Sequence, residues 1–396
     1  MTKKSDTPAI RFKGFTDTWE QRKAKELFVS TADKGYPELP VLSATQDRGM
    51  IRRDENSINI FHDKKNEAGY KRVLPGQFVI HLRSFQGGFA HSAIEGITSP
   101  AYTVFGFSEP EKHDSEYWKY VFTSKSFIRR LETVTYGIRD GRSISYEEFL
   151  TLGFVYPSKA EQTAIARYLD KLSDLITLHQ RKYDKLTNVK KSMLEKMFPK
   201  NGSNVPEIRF KGFTEAWEQR KLGELALFNP KDELPQIFEY VDLESVVGTE
   251  MLSHRTEVKS SAPSRAQRLA HTGDLFYQTV RPYQKNNYLF ERPDNNYVFS
   301  TGYAQMRPYV DGYFLLSLVQ SERFVKVVLD NCTGTSYPAI NANDLAEIEV
   351  AAPSDESEAQ KIGTIFRSID NLITLHQREL EKLKNIKKSC LENMFV

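Results

Sequence analysis

Apolar residues recur along two stretches of this chain at alternating steps of four and three residues, which is the spacing of a heptad seam. The stretches 161–198 and 358–395 are copies of each other and share the identical run Leu-Ile-Thr-Leu-His-Gln-Arg at 175–181 and 372–378. The pattern predicts two long helices, each needing a partner helix to bury its stripe. The first seam consists of Ile165, Leu169, Leu172, Ile176, His179, Tyr183, Leu186, Lys190, Met193 and Met197. The second consists of Ile362, Phe366, Ile369, Ile373, His376, Leu380, Leu383, Lys387, Cys390 and Met394.

The start signals and the order of the copies set the direction of these helices. Ser158 with Glu161, preceded by a proline, forms a capping-box pattern, and Asp355 with Glu358 forms an equivalent one. The first helix carries the chain away from one region and the second must bring it back, so we expect an antiparallel pair. A helix of about 38 residues is about 57 Å long, which is the length of a spacer.

Two histidines lie near the midpoints of the predicted helices. In an antiparallel pair, His179 and His376 are expected to approach each other near a pseudo-twofold axis. A histidine on such a seam is more often a packed residue that fixes register than a ligand. We therefore expect a structural role for both.

The region before each helix also repeats. Ile-Arg-Phe-Lys-Gly-Phe-Thr occurs at 10–16 and 208–214, and Trp-Glu-Gln-Arg-Lys occurs at 19–23 and 217–221. The whole unit is therefore duplicated. The predicted boundaries are 1–156 for the first globular domain, 157–198 for the first spacer helix, 199–207 for a linker, 208–352 for the second domain and 353–396 for the second spacer helix.

Within each domain, short β-rich runs alternate with polar loops and one amphipathic helix. Strands are predicted at 76–82, 100–107, 273–279 and 303–307, and helices at 115–131 and 312–329. The fold class is therefore α+β: two globular domains separated by two long antiparallel coiled-coil helices in an internal repeat. Because the two domains share a frame and differ in their loops, they suit two modules that read different things.

Composition and charge restrict the function only weakly. The formal net charge is +3 and the pI is about 8.5, so an anionic partner is weakly favoured. No apolar run approaches the length of a membrane span, and the polar start lacks a signal-peptide core, so we expect a cytoplasmic protein. Cys332 and Cys390 show no metal-ligand spacing and are expected to be reduced and structural.

With its duplicated helices, its tryptophan-centred opening blocks and the run Arg-Pro-Tyr-Gln-Lys-Asn at 281–286, the chain resembles the DNA specificity (S) subunits of type I restriction-modification systems. The resemblance covers essentially the whole chain. It implies that each globular domain is a target recognition domain for one half of a bipartite, asymmetric DNA site. It further implies that the helices set the unread gap and dock two modification (methyltransferase) subunits, with restriction (motor-nuclease) subunits joining further out.

The resemblance also implies a non-catalytic chain. S-adenosylmethionine, ATP and Mg²⁺ are expected on the partner subunits, with no cofactor and no metal in this one. The sequence itself contains neither a Walker phosphate loop, nor an adenine-methyltransferase signature, nor His-Glu-x-x-His.

Base readout in the major groove needs forked donors and acceptors at loop tips. The alternative for each candidate is a surface position or a phosphate contact. The first domain offers Arg83, Gln86, Arg139, Arg142 and Ser143, and the second offers Arg281, Tyr283, Gln284, Lys285, Asn286 and Tyr337. Because Arg83 and Arg281 are equivalent in the two domains, they are expected to share a role in positioning the DNA backbone.

Other residues leave two interpretations open. Arg48, Arg52 and Arg53 are either a solvated cluster or a phosphate contact. Trp19 and Trp217 are expected to anchor the domain cores rather than to stack on bases. For the whole chain, the rivals to a DNA-reading scaffold are a nuclease or methyltransferase acting alone, and a coiled-coil adaptor whose domains bind proteins.

Overall fold

The structure is a computed structural model that describes residues 7–45, 48–56, 64–81, 88–132, 145–200, 202–334 and 336–396. The chain divides into two compact units. The first comprises Met1–His179 and Glu379–Val396, and the second is Gln180–Arg378. Each unit holds one α+β domain and a section of both long helices, so the predicted fold class is confirmed.

The first unit contains ten strands within the described residues, and a long helix follows them. The elements are β1 Glu20–Lys23, α1 Ala24–Leu27, β2 Phe28–Thr31, β3 Leu42–Thr45, β4 Gly49–Arg52, β5 Lys71–Val73, β6 Phe78–Ile80, β7 Phe89–His91, β8 Gly96–Thr98, β9 Thr103–Phe107, α2 Ser115–Thr123, α3 Lys125–Glu132, α4 Tyr146–Leu150, β10 Gly153–Tyr156 and the long helix α5 Lys159–Lys196. Strands pair antiparallel in the order β2-β9-β6-β7, with two-stranded pairs β1-β10, β3-β4 and β5-β8.

The second unit repeats this plan with a second four-stranded sheet. Its elements are β11 Glu218–Lys221, α6 Leu222–Leu225, β12 Ala226–Phe228, β13 Ile237–Val241, β14 Val246–Val247, β15 Glu250–Met251, β16 Arg255–Val258, β17 Ala266–Leu269, β18 Leu275–Gln278, β19 Tyr288–Leu289, β20 Tyr297–Ser300, β21 Tyr303–Pro308, α7 Gly312–Gln320, α8 Glu322–Asp330, α9 Ala342–Ala346, β22 Glu349–Ala352 and the long helix α10 Glu356–Asn393. The sheets run β12-β21-β18-β19 and β16-β13-β20-β17, and β13 and β20 are parallel.

In each unit the start of one long helix packs beside the end of the other, as an antiparallel pair requires. In the first unit Ile165, Leu169 and Leu172 of α5 share a buried cluster with Cys390 of α10. In the second unit Ile362 and Phe366 of α10 share one with Met197, just beyond α5. Both helices are 38 residues long.

Toward the helix midpoints the seam is less covered. Ile369 is buried, whereas Ile176, His179, Ile373 and His376 are half-buried. The predicted approach of the two histidines stays a prediction.

The predicted helices 115–131 and 312–329 are wrong as continuous helices, because each is broken by a serine. Ser124 separates α2 from α3, and Ser321 separates α7 from α8, both with extended backbone. The hydroxyl of Ser124 accepts a hydrogen bond from Phe127 N, and that of Ser321 accepts one from Phe324 N, each at 3.2 Å. Apolar periodicity continues across the break, whereas a serine N-cap redirects the chain.

The prediction that Glu161 and Glu358 complete capping boxes at the helix starts is wrong. Glu161 and Glu358 are 1% exposed, and each binds an arginine of its own unit's opening block. Arg11 Nε lies 2.6 Å from Glu161 Oε1, and Arg209 Nε lies 2.6 Å from Glu358 Oε1. These hydrogen bonds to the carboxylates raise the pKa of both arginines. The second residue of each repeated block is therefore an arginine that holds the first turn of a long helix in place.

Both tryptophans of the opening blocks are buried, as expected of core anchors. Trp217 also donates from Nε1 to Glu358 Oε2 at 3.2 Å. Among the helices of the described residues, none is both long and apolar enough to cross a membrane.

Candidate nucleic-acid interface

The candidate loop residues of the first unit lie outside the described residues. Arg83 and Gln86 fall in 82–87, and Arg139, Arg142 and Ser143 fall in 133–144. The geometry of the candidate interface therefore comes from the second unit.

The loop 281–286 connects β18 to β19 in the second unit. Its centre is a single 3-10 turn, Pro282–Gln284. On either side of this turn, side-chain amides hold the loop to the end of β18 by hydrogen bonds. Gln278 N donates to Asn287 Oδ1 at 2.9 Å, and Gln278 Nε2 donates to Gln284 Oε1 at 2.9 Å. The loop thus has a defined conformation at the end of a buried strand.

Two residues of this loop have left-handed backbone conformations. Arg281 has φ 55° and Lys285 has φ 56°. A non-glycine residue costs about 1 kcal/mol or more in this region, and such residues persist only where surrounding contacts hold them. Strain of this kind is concentrated at functional sites.

The polar loop after α8 lies against the loop 281–286. Arg281 N donates to Pro338 O at 2.8 Å, and Ile340 N donates to Thr279 O at 3.0 Å. The Arg281 guanidinium lies 4.4 Å from the centroid of the Tyr337 ring. The structure therefore brings two sequence-predicted segments together into one surface, with an arginine stacked on an aromatic face.

Three predicted DNA-binding side chains make contacts with other residues of the chain. Gln284 accepts the hydrogen bond from Gln278 described above. Lys285 Nζ lies 2.8 Å from Glu322 Oε1, and Asn286 Oδ1 accepts from Gly248 N at 2.8 Å. These contacts hold the loop in place.

The remaining candidates point outward. Tyr283 is 50% exposed and Tyr337 is 64% exposed. Together with the stacked Arg281, they present a planar fork of N–H donors and two phenol groups. Such a set can bind a guanine edge or a phosphate through the arginine, and can donate or accept hydrogen bonds through the tyrosines.

A partly buried polar network centred on Asp274 was not predicted from the sequence. Asp274, 1% exposed, accepts from Arg307 Nε at 2.9 Å and from Gln305 Nε2 at 2.7 Å. Arg307 also reaches Asp232 at 3.2 Å, and the hydrogen bond to Asp274 raises the pKa of Arg307. The network joins β21 to the start of β18. No short-range sequence signal could have revealed it, because its members are far apart in the chain.

The basic cluster of the first unit lies on one hairpin. Arg52 ends β4 and is exposed, 3.5 Å from Asp54. Arg48 is also exposed and Arg53 is half-buried. Both interpretations of the cluster stay open. In the part of the chain that the structure describes, no group of three His, Cys, Asp or Glu side chains is placed to hold a metal ion.

The fold and the described loops together define a class of protein: an internally duplicated binding scaffold with two long helices and, on the second unit, a surface formed by two polar loops. Residues 254–385 match the family model described as the type I restriction modification DNA specificity domain. The match includes the loop 281–286, Tyr337 and most of α10.

Among the proteins similar to the chain are one specificity subunit and one S subunit of known structure. The type I restriction enzyme MjaVIII specificity subunit of Methanocaldococcus jannaschii is 24% identical over 271 residues. That alignment covers 59% of the chain and 59% of the relative. The crystal structure of the type I restriction-modification system S subunit from M. genitalium has a TM-score of 0.57 at 17% identity, covering 98% of this chain and 99% of that one. The resemblance to type I S subunits is confirmed, and the fold is shared across the chain.

Proposed function

We propose that this chain is the DNA specificity subunit of a type I restriction-modification complex, in which each globular domain reads one half of a bipartite, asymmetric target. The observation that carries the proposal is the match of 254–385 to a DNA specificity domain, because that segment contains the whole loop surface described above. The duplicated frame with different loops supports one half-site for each unit.

The long helices would set the unread gap and dock two modification subunits. The identical run at 175–181 and 372–378 supports docking, because it leaves the same leucine exposed in both helices. Leu178 is 46% exposed and Leu375 is 52% exposed. Two identical apolar positions suit two copies of one partner. Restriction subunits would join the assembly through those partners.

In this proposal the chain is not itself an enzyme. Its contribution is to bind and position DNA, whereas S-adenosylmethionine, ATP and Mg²⁺ would be bound by the modification and restriction subunits. The DNA is bound as a double strand, and phosphate contacts would supply the affinity that base contacts make specific.

A methylation map tests the proposal directly. DNA is sequenced by a single-molecule method that detects methylated bases, from cells expressing this chain with a type I modification subunit. We expect a methylated bipartite motif with a fixed gap, absent when this chain is omitted. A stable complex that methylates no motif would instead support the coiled-coil adaptor.

A further inference from the structure

Asn286 is one of the candidates for DNA contact, but its amide oxygen already has a partner within the protein. Asn286 Oδ1 accepts a hydrogen bond from Gly248 N at 2.8 Å, and the side chain is half-buried. The oxygen that asparagine uses as the acceptor in its two-bond pairing with adenine is thus already engaged within the protein. The structure therefore points to another role for this side chain.

Gly248 lies at the tip of the hairpin formed by β14 and β15. The strands pair Val246 with Met251 and Val247 with Glu250, and Gly248 has φ 62° in the connecting turn. Val246 is fully buried, and Met251 packs against the same aromatic cluster. The hairpin is therefore a short element whose base is anchored in the core by Val246 and Met251.

The other side of the hairpin tip contacts the long helix α10. Glu250 Oε1 accepts a hydrogen bond from Thr374 Oγ1 at 2.9 Å. The equivalent residue of α5, Thr177, instead donates to Ser173 O of its own helix at 2.9 Å. Gly248 and Glu250 are two residues apart, so the tip lies between the candidate DNA-reading loop and the middle of α10.

We propose that the β14–β15 hairpin is a brace that positions the loop 281–286 relative to α10. Asn286, Glu250 and Thr374 are its positioning residues, and the DNA contacts of this loop belong to the exposed Tyr283 and to Arg281 stacked on Tyr337. The inference rests on the proposed function. A reading side chain must be held to within about 0.5 Å, which an exposed loop cannot achieve without such support.

The first test separates positioning from base reading at Asn286. In complex with a modification subunit, Asn286→Asp keeps the acceptor for Gly248 N, whereas Asn286→Ala removes it. We expect Asn286→Asp to retain the wild-type methylation motif. We expect Asn286→Ala to lower methylation about fivefold at every position of the second half-site, the size of one lost hydrogen bond, with the first half-site unchanged. Loss of discrimination at a single base with Asn286→Asp would overturn the brace.

The second test uses the matched threonines of the repeat. Thr374→Val removes the contact with Glu250, and Thr177→Val is the control at the equivalent position of α5. We expect Thr374→Val to weaken binding of the complex to its target DNA about threefold, and Thr177→Val to change it less than twofold. Equal effects of the two variants would overturn the brace. The thermal unfolding midpoints of the variants distinguish loss of position from loss of folding.

Failure of the two proposals can be told apart. A wild-type complex that methylates no motif overturns the proposed function, and the brace with it. A wild-type motif that Asn286→Asp alters at one base overturns only the brace.

Discussion

In the first unit, Lys387 of α10 donates to the hydroxyl of Ser173 in α5 at 2.8 Å. In the second unit, the equivalent lysine of α5, Lys190, forms an ion pair with Asp370 of α10 at 2.6 Å. The two sites occupy the same place in the repeat, yet one has a hydroxyl where the other has a carboxylate. Burial, followed by repulsion from Lys119, lowers the pKa of Lys387.

The contacts at the first turns of the same helices do not differ in this way. Arg11 with Glu161, and Arg209 with Glu358, form the same ion pair at the same distance. A backbone bond also recurs, from Ile10 N to Asn393 O in one unit and from Ile208 N to Lys196 O in the other. The duplicated fold therefore keeps the contacts that anchor the start of each long helix, whereas the contacts further along the helices tolerate substitution.

The largest expected effect comes from removing an anchoring carboxylate. Glu358→Ala leaves Arg209 in a largely buried position and deprives Trp217 Nε1 of its acceptor, so we expect a loss of about 4 kcal/mol of unfolding free energy. Glu161→Ala removes only the ion pair with Arg11, and we expect about 3 kcal/mol. Urea unfolding with hydrogen exchange resolves the two units. A larger loss with Glu161→Ala would contradict the ranking.

A smaller effect is expected at the lysine contacts. Asp370→Ala removes the ion pair with Lys190 and the hydrogen bond from Tyr313 Oη, which is 2.9 Å long. We expect a cost of about 2 kcal/mol. Ser173→Ala removes the hydrogen bond from Lys387 and a 3.3 Å contact with Tyr120 Oη, but no ion pair, and should cost about 1 kcal/mol. The same unfolding experiment measures both, and equal costs would show that the carboxylate adds nothing over the hydroxyl.

Acid should weaken the first unit through two buried histidines. Burial lowers the pKa of His91, and burial likewise lowers the pKa of His113. Below about pH 6.5 the two histidines bind protons more readily in the unfolded chain than in the folded unit. The free energy of unfolding therefore falls as the pH drops through that value. The slope is at most about 1.4 kcal/mol per pH unit for each group.

Hydrogen exchange at pH 7.5 and 5.5 measures this loss in the first unit. His113→Phe keeps a ring to stack on Phe107, whose centroid lies 4.7 Å from that of the imidazole, and removes one titrating group. The variant should therefore lose less stability on acidification than the wild type. An unchanged slope would exclude His113 as a source of the acid sensitivity.

The smallest expected effect concerns the stacked arginine. Tyr337→Leu removes the ring beneath Arg281, and a cation–π contact at an exposed site contributes about 0.5–1 kcal/mol. We expect about a two- to fivefold loss of affinity for the second half-site only. Tyr309→Leu is the control, because Tyr309 is also 64% exposed. Equal losses for both variants would mean that the stack makes no specific contribution.

Much of the scaffold could be predicted from the sequence because it is periodic. The seam of α5 and α10 and the strands β6, β9, β18 and β21 follow from apolar spacing. The breaks at Ser124 and Ser321 were missed, since the apolar period continues across each serine. The assignment of Glu161 to a cap was also wrong, because its real partner, Arg11, is distant in sequence and only the fold brings them together.

The sequence could name the loop residues as candidates for DNA contact, but it could not show which of those side chains make contacts within the protein. By residue type alone, Lys285 and Asn286 are as good candidates for DNA contact as Arg281. Only three-dimensional neighbours, Glu322 and Gly248, distinguish side chains that hold the loop from those that face outward. The Glu250–Thr374 contact has no local sequence signal at all.

The buried ion pair at the start of each long helix also controls the angle of that helix, and a small change in this angle displaces the far end of the helix. A helix of 38 residues is about 57 Å long, so a tilt of about 5° at its root moves its far end by about 5 Å. That displacement exceeds the rise of one base pair, about 3.4 Å. Under the proposed function, the angular stiffness of Arg11–Glu161 and Arg209–Glu358 would therefore limit how precisely the helices fix the gap between the half-sites.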